Sequence, residues 1–156
     1  MARKKYGNQL PTQSVILPYV KKRSLSKEAI EIYEKTGLSS YIWQKKLLEA
    51  MMAVDKKGLW VHQKFGYSIP RRNGKSELLY MLELWGLHQG LNILHTAHRI
   101  STSHSSFEKV KRYLEKMGYV DGEDFTSIRA KGQERIALKN TEGVLQFRTR
   151  TSNGGL

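Results

Sequence analysis

Phe65-Gly66-Tyr67-Ser68-Ile69-Pro70-Arg71-Arg72-Asn73-Gly74-Lys75-Ser76 leads from a short apolar run through a basic turn into a long helical pattern. Gly74 lets the backbone approach an anion, Lys75 supplies a mobile positive charge for β- and γ-phosphates, and Ser76 can offer its hydroxyl to Mg²⁺ at a helix N-terminus. The stretch reads as a phosphate-binding loop between a strand and a helix. It departs from the full G-x-x-x-x-G-K-[ST] pattern, because the first glycine's position is held by Ile69. Arg71 and Arg72 stand inside the loop, so a bound nucleotide would meet two guanidinium groups. A bare Gly-Lys-Ser also occurs at ordinary helix starts, where Ser76 and Glu77 merely decorate the first turn. The flanking strand and helix are the context that the phosphate reading demands.

Outward from the loop, Phe65 to Ile69 reads as a buried central strand and Leu59-Trp60-Val61 as a weaker one. From Lys75 to Gln89, Leu78, Leu79, Leu82, Trp85 and Leu87 make an apolar helix closed by Gly90. Leu91 to Ala97 is the next strand. Ser101 to Met117 is a further helix, with Phe107, Val110, Tyr113, Leu114 and Met117 on one stripe and Gly118 as cap. Strand, helix, strand, helix predicts a parallel α/β unit with right-handed crossovers. Beyond Gly118, Phe125-Ile128, Arg135-Leu138 and Val144-Phe147 read as a β-meander, and 150–156 as a polar, glycine-bearing segment.

Upstream, residues 1–24 carry basic and polar residues with Pro11 and Pro18 and no clear period, which suggests an extended arm. A short helix begins near Ser26 and ends at Gly37. A second runs from about Ser40 to Lys56, with Trp43, Leu47, Leu48, Met51 and Met52 on its apolar stripe and Gly58 closing it.

The 156 residues suffice for one domain with a core, and 39% hydrophobic composition fits a globular protein. No apolar run approaches membrane-spanning length and no leader is visible, so a cytoplasmic setting is expected. The absence of cysteine removes disulfides, thiol catalysis and cysteine-ligated zinc. A formal charge of +13, from 27 Lys and Arg against 14 Asp and Glu, makes a polyanion the natural partner, nucleic acid first. A merely solvated basic surface is the plain alternative.

Nucleotide hydrolysis needs a carboxylate for Mg²⁺ at the end of a neighbouring strand and a base for the attacking water. No predicted apolar strand ends in Asp or Glu. Glu77, Glu83, Glu108, Glu115, Asp121, Glu123, Asp124, Glu134 and Glu142 fall on helices or in turns, where solvated-face roles suit them. His95, His98 and His104 lack a carboxylate at metal-ligand spacing and suit packing or surface roles. Ser101 to Ser106 reads as a polar helix start, with no nucleophile's partner in view.

Four segments together resemble the N-terminal ATPase domain of the large terminase subunit of tailed bacteriophages. They are Arg71 to Ser76 after a strand, Tyr41-Ile42-Trp43-Gln44 upstream, Thr96-Ala97-His98 followed by Ser103 to Phe107, and Phe147-Arg148-Thr149-Arg150-Thr151-Ser152. The resemblance covers residues 38 to 156, and that family's loop also carries basic residues in place of the first glycine. It implies an α/β fold of the P-loop NTPase type, an incomplete parallel sheet flanked by helices with a short β-meander at the C-terminal end. Residues 1–37 would be a basic arm and short helix, and 38–156 the N-terminal part of the ATPase domain.

The resemblance assigns ATP and Mg²⁺ as cofactors. Lys75 would contact the β- and γ-phosphates, Ser76 the metal, and Gly74 with the amides of Asn73 to Ser76 would line the phosphates beside Arg72. Arg71 would act on the γ-phosphate in cis, Gln44 would read the adenine amide edge, and Arg148 or Arg150 would reach a neighbouring subunit's nucleotide. The implied partners are double-stranded DNA, a portal protein, the small terminase subunit and further copies of the chain in a ring, in the host cytoplasm and transiently at the procapsid portal. In that family an aspartate-glutamate pair follows the Phe-Arg-x-Arg segment and a nuclease domain comes later, so 1–156 alone is expected to turn over little ATP. Two alternatives stay open. One is a superfamily-2 helicase fragment, whose loops usually keep the first glycine; the other is a non-catalytic basic nucleic-acid-binding module.

Overall fold

In the computed structural model, residues 10–130 and 133–150 are described. They form an α/β arrangement of four α-helices and a mixed four-stranded sheet: α1 (Ser26–Glu34), α2 (Ile42–Met51), α3 (Lys75–His88), β1 (Asn92–Ala97), α4 (Ile100–Lys116), β2 (Phe125–Ile128), β3 (Arg135–Leu138) and β4 (Val144–Thr149). The sheet order is β1-β4-β3-β2. β2, β3 and β4 make the expected antiparallel meander, and β1 lies parallel to β4 with His95 opposite Phe147. The sheet is therefore mixed, where a parallel one was expected.

The helix ends follow from local chemistry. α3 stops where Gly90 turns left-handed (φ 73°), and Leu91 N–H then reaches back to Gly86 O at 2.9 Å, which satisfies an orphan carbonyl. α2 ends earlier than its apolar stripe suggests. Asp55 Oδ1 accepts from Lys57 and Leu59 N–H, and Ala53 and Val54 bridge to Ser24 and Trp60, so these residues belong to a tight turn.

Both long helices lie on one face of the sheet. His95 and Phe147 are cross-strand neighbours; Glu83 of α3 reaches His95, and Phe107 of α4 packs edge-on against Phe147 with ring centroids 5.7 Å apart. The opposite face is open at β1, where Leu94 is 63% exposed. α1 covers the outer side of α3 and adds Ala29 and Tyr33 to the same buried cluster as Leu78, Met81, Leu84, Phe107, Leu145 and Phe147.

Phe65 to Ile69 forms no strand. The segment keeps a period of two, with Phe65, Tyr67 and Ile69 half-buried and Gly66, Ser68 and Pro70 exposed. No strand lies alongside it among the described residues, and a lone extended run has no ladder to join. Residues 1–9 of the expected arm and Thr151 and Ser152 of the C-terminal motif lie outside the described residues; 10–24 are mostly exposed, with one 3₁₀ turn at Lys21–Arg23. Among the described residues no helix is long and apolar enough to cross a membrane.

Candidate functional site

The loop before α3 is bent by two left-handed residues, Arg72 (φ 64°) and Gly74 (φ 72°). Glycine takes that conformation freely, whereas arginine there holds about 1–2 kcal/mol of strain. The Asn73 side chain braces the bend, its Nδ2 lying 3.3 Å from both Pro70 O and Arg71 O. Gly74 is the N-cap of α3 and donates no side-chain cap. A left-handed residue followed by helical ones turns successive N–H groups to one side. Among the described residues, the N–H groups of Asn73, Gly74, Lys75 and Ser76 have no hydrogen-bond partner. They stand at the positive end of a 14-residue helix, beside the exposed Arg71, Arg72, Lys75 and Ser76.

Three contacts fix this end of α3 from outside. Tyr67 O–H donates to Lys75 O at 3.1 Å. Gln44, only 1% exposed, donates from Nε2 to Gly74 O at 2.9 Å and accepts from Tyr41 N–H at 2.7 Å. Glu77 Oε2 accepts from both the Tyr33 and Tyr113 hydroxyls at 2.7 Å, so the first turn of α3 is tied to α1 and α4 at once. In its sequence Glu77 is one acidic residue among many on helix surfaces; only the fold brings two tyrosines, 44 and 36 positions away, to its carboxylate.

Burial first, and then the hydrogen bond to the Glu77 carboxylate, push both tyrosine hydroxyls above the ordinary phenol range. A raised folded-state value means that the stabilisation is complete below about pH 10 and is lost as pH rises through the raised values. Tyr113→Phe should therefore lower stability at pH 8 by about 1 kcal/mol and flatten its decline above pH 10. Thermal midpoints of both proteins from pH 8 to 11 check this, and parallel declines would sink it.

The two C-terminal arginines take different positions. Arg148 is turned onto the sheet, donating from Nη1 to Phe147 O at 2.9 Å and from Nη2 to Gln146 Oε1 at 3.0 Å. Arg150 is exposed and donates from Nε to Thr96 Oγ1 at 3.0 Å, bridging the C-terminal ends of β4 and β1. α3 is about 20 Å long and β1, entered after the three residues Gln89, Gly90 and Leu91, about 20 Å. The chain reverses between them, so Thr96 and Arg150 come to the same end of the domain as loop 70–76.

Two acidic residues expected on solvated faces are buried. Glu83 is 6% exposed and pairs with His95 Nδ1 at 2.5 Å, and Glu134 is 1% exposed with Oε1 3.3 Å from His104 Nδ1. Desolvation exceeds the histidine's contribution and raises the Glu83 carboxyl above its usual range. His95 keeps its expected packing role. Among the described residues no cluster of three His, Asp or Glu side chains is placed to hold a metal ion. A Mg²⁺ ion arriving on a nucleotide needs few protein ligands, and the exposed Ser76 hydroxyl fits that use. Compared with family models, with curated proteins and with solved structures, the chain gives no match.

Proposed function

We propose that loop 70–76 is a phosphate-binding loop for Mg²⁺-ATP, and that the chain is the ATP-binding part of a motor of the large-terminase class, which couples ATP hydrolysis to moving double-stranded DNA into a procapsid. The observation that carries the reading is the run of N–H groups from Asn73 to Ser76 without partners among the described residues, set at a helix N-terminus between exposed Lys75, Arg71 and Arg72. Amides so placed satisfy phosphate oxygens without rearrangement. Strain at Arg72 agrees with a functional loop, since strained backbone gathers at binding sites.

In this reading Lys75 neutralises the β- and γ-phosphates, Arg71 presents a guanidinium to the γ-phosphate, and Ser76 donates an oxygen to the metal. Bound Mg²⁺ supplies charge neutralisation on the transferred phosphoryl group. Arg150 is the better placed of the two arginines to reach another copy, because Arg148 is engaged with its own sheet. The charge of +13 suits DNA as the partner.

Calorimetric titration of a non-hydrolysable ATP analogue with Mg²⁺ tests the reading. The wild type should bind, and Lys75→Ala should bind about 10- to 100-fold more weakly, the worth of one charge-assisted contact. Equal affinities in the two proteins, or no binding by a folded wild type, would reject it. DNA binding that loses only one contact's salt dependence in Lys75→Ala would then favour a basic nucleic-acid-binding module.

A further inference from the structure

Gln44 lies 30 positions before Gly74, yet its amide is the side chain that meets the loop's turning residue. Its Oε1 is occupied by the Tyr41 N–H, the N-cap amide of α2, so the head group is held from behind by the helix that carries it. Its Nε2 then points at Gly74 O, which also accepts from Glu77 N–H at 3.2 Å. The fit is close: a Cβ on Gly74 would stand 3.2 Å from Gln44 Nε2 and 3.7 Å from Tyr41 Cε2.

The consequence follows from peptide geometry. Gly74 C=O and Lys75 N–H are the two ends of one planar trans unit and point in opposite directions. A donor that fixes the carbonyl on the Gln44 side therefore aims the Lys75 N–H away from α2, to the side where the neighbouring amides are unpartnered. The same bond holds Gly74 in its left-handed turn, which would otherwise cost ordering entropy each time an anion bound.

We infer that Gln44 is a positioning residue of the phosphate loop, which presets the Gly74 turn and the direction of the Lys75 amide without touching the ligand. This inference rests on the phosphate-binding reading above. It differs from base recognition, because Gln44 is almost fully buried with both ends of its amide engaged, and a purine would reach it only after the loop moved aside.

A ligand without a base separates the two roles. Gln44→Met, similar in length and without hydrogen bonds, should weaken binding of Mg²⁺-tripolyphosphate and of the Mg²⁺-bound ATP analogue to the same degree, about three- to tenfold. Loss confined to the ATP analogue, with tripolyphosphate unaffected, would overturn the inference in favour of base reading. Amide hydrogen exchange in the ligand-free protein gives a readout that does not depend on nucleotide. Both Gln44→Met and Gln44→Glu should speed exchange at Glu77, whose N–H donates to Gly74 O, since both lose the Gln44 donor that fixes that carbonyl, while Gln44→Glu keeps the acceptor for Tyr41 and so keeps the α2 cap. Unchanged exchange at Glu77 in two folded variants would also overturn it. If the wild type binds neither polyphosphate, the phosphate reading falls and the positioning role falls with it, while the exchange rates still report whether Gln44 restrains Gly74.

Discussion

Gly143→Ala is expected to destabilise the protein by about 3 kcal/mol, the upper end of the usual cost of overpacking. A Cβ at Gly143 would stand 2.1 Å from Leu87 O and 2.8 Å from Leu87 C and Cα. These are backbone atoms in the last turn of α3, so no rotamer change can relieve the clash. Nor can the helix end retreat easily. Leu87 O accepts from Thr141 Oγ1 at 2.6 Å and from Gly90 N–H at 3.2 Å, and Val144 N–H donates to Leu91 O at 2.9 Å. The turn between β3 and β4 is thereby seated on the junction of α3 and β1, where the parallel β1–β4 pairing begins. Gly122→Ala is the control. Gly122 has φ 92° with open space around a Cβ, so only the left-handed backbone is penalised, by about 1 kcal/mol. Thermal melts should show Gly143→Ala lower by roughly 6–12 °C, against a few degrees for Gly122→Ala. Equal midpoints would mean that the α3 end does not press on Gly143.

His95→Leu should cost about 3 kcal/mol at neutral pH, because it leaves the buried Glu83 carboxyl group without its hydrogen-bond partner. Glu83 Oε1 is 2.5 Å from His95 Nδ1, and Oε2 has no partner, so the histidine is its sole support among the described residues. The imidazole also packs on Phe147, with ring centroids 5.2 Å apart, and a leucine keeps most of that apolar contact. Replacing both residues, as Glu83→Leu with His95→Leu, should recover most of the loss, since an apolar pair of similar volume pays no desolvation. The pH dependence has a definite sign. Burial raises the Glu83 carboxyl above its unfolded value, so its contribution is most favourable below that value and is lost as pH rises through the raised one. The deficit of the single variant should shrink as pH falls toward 4.5 and persist above neutrality. Urea denaturation of the wild type, the single and the double variant at pH 5 and pH 8 measures it. A double variant no more stable than the single would show that the pair adds packing alone.

Where the signal is local, sequence and fold agree closely. The apolar stripes of α3 and α4 and the glycines that end them are written within a few turns of chain, and the observed helices begin and end within one residue of expectation. The three meander strands are as legible, because each pairs with the next along the chain, and β1 is legible as an apolar run between turn residues although its partner β4 begins 52 positions on. The Phe65 to Ile69 run failed for the opposite reason. Its alternation survives in the fold as alternating burial, but strand identity needs a second strand, and none pairs with it among the described residues. The predicted parallel sheet became a mixed one because strand order depends on which distant edges meet.

The same division runs through the candidate site. Arg71, Arg72, Asn73, Gly74, Lys75 and Ser76 were visible together because they are consecutive, and their spacing alone set a turn, a helix N-terminus and a positive field in one place. Tertiary structure alone decided what fixes that place. Gln44 comes to Gly74 from 30 positions away, Tyr33 and Tyr113 to Glu77 from 44 and 36, and Arg150 to Thr96 from 54. Each of these is a hydrogen bond whose donor and acceptor belong to different elements. No periodicity along the chain encodes such a pair, because its strength comes from burial and geometry that exist only once the helices have packed against the sheet.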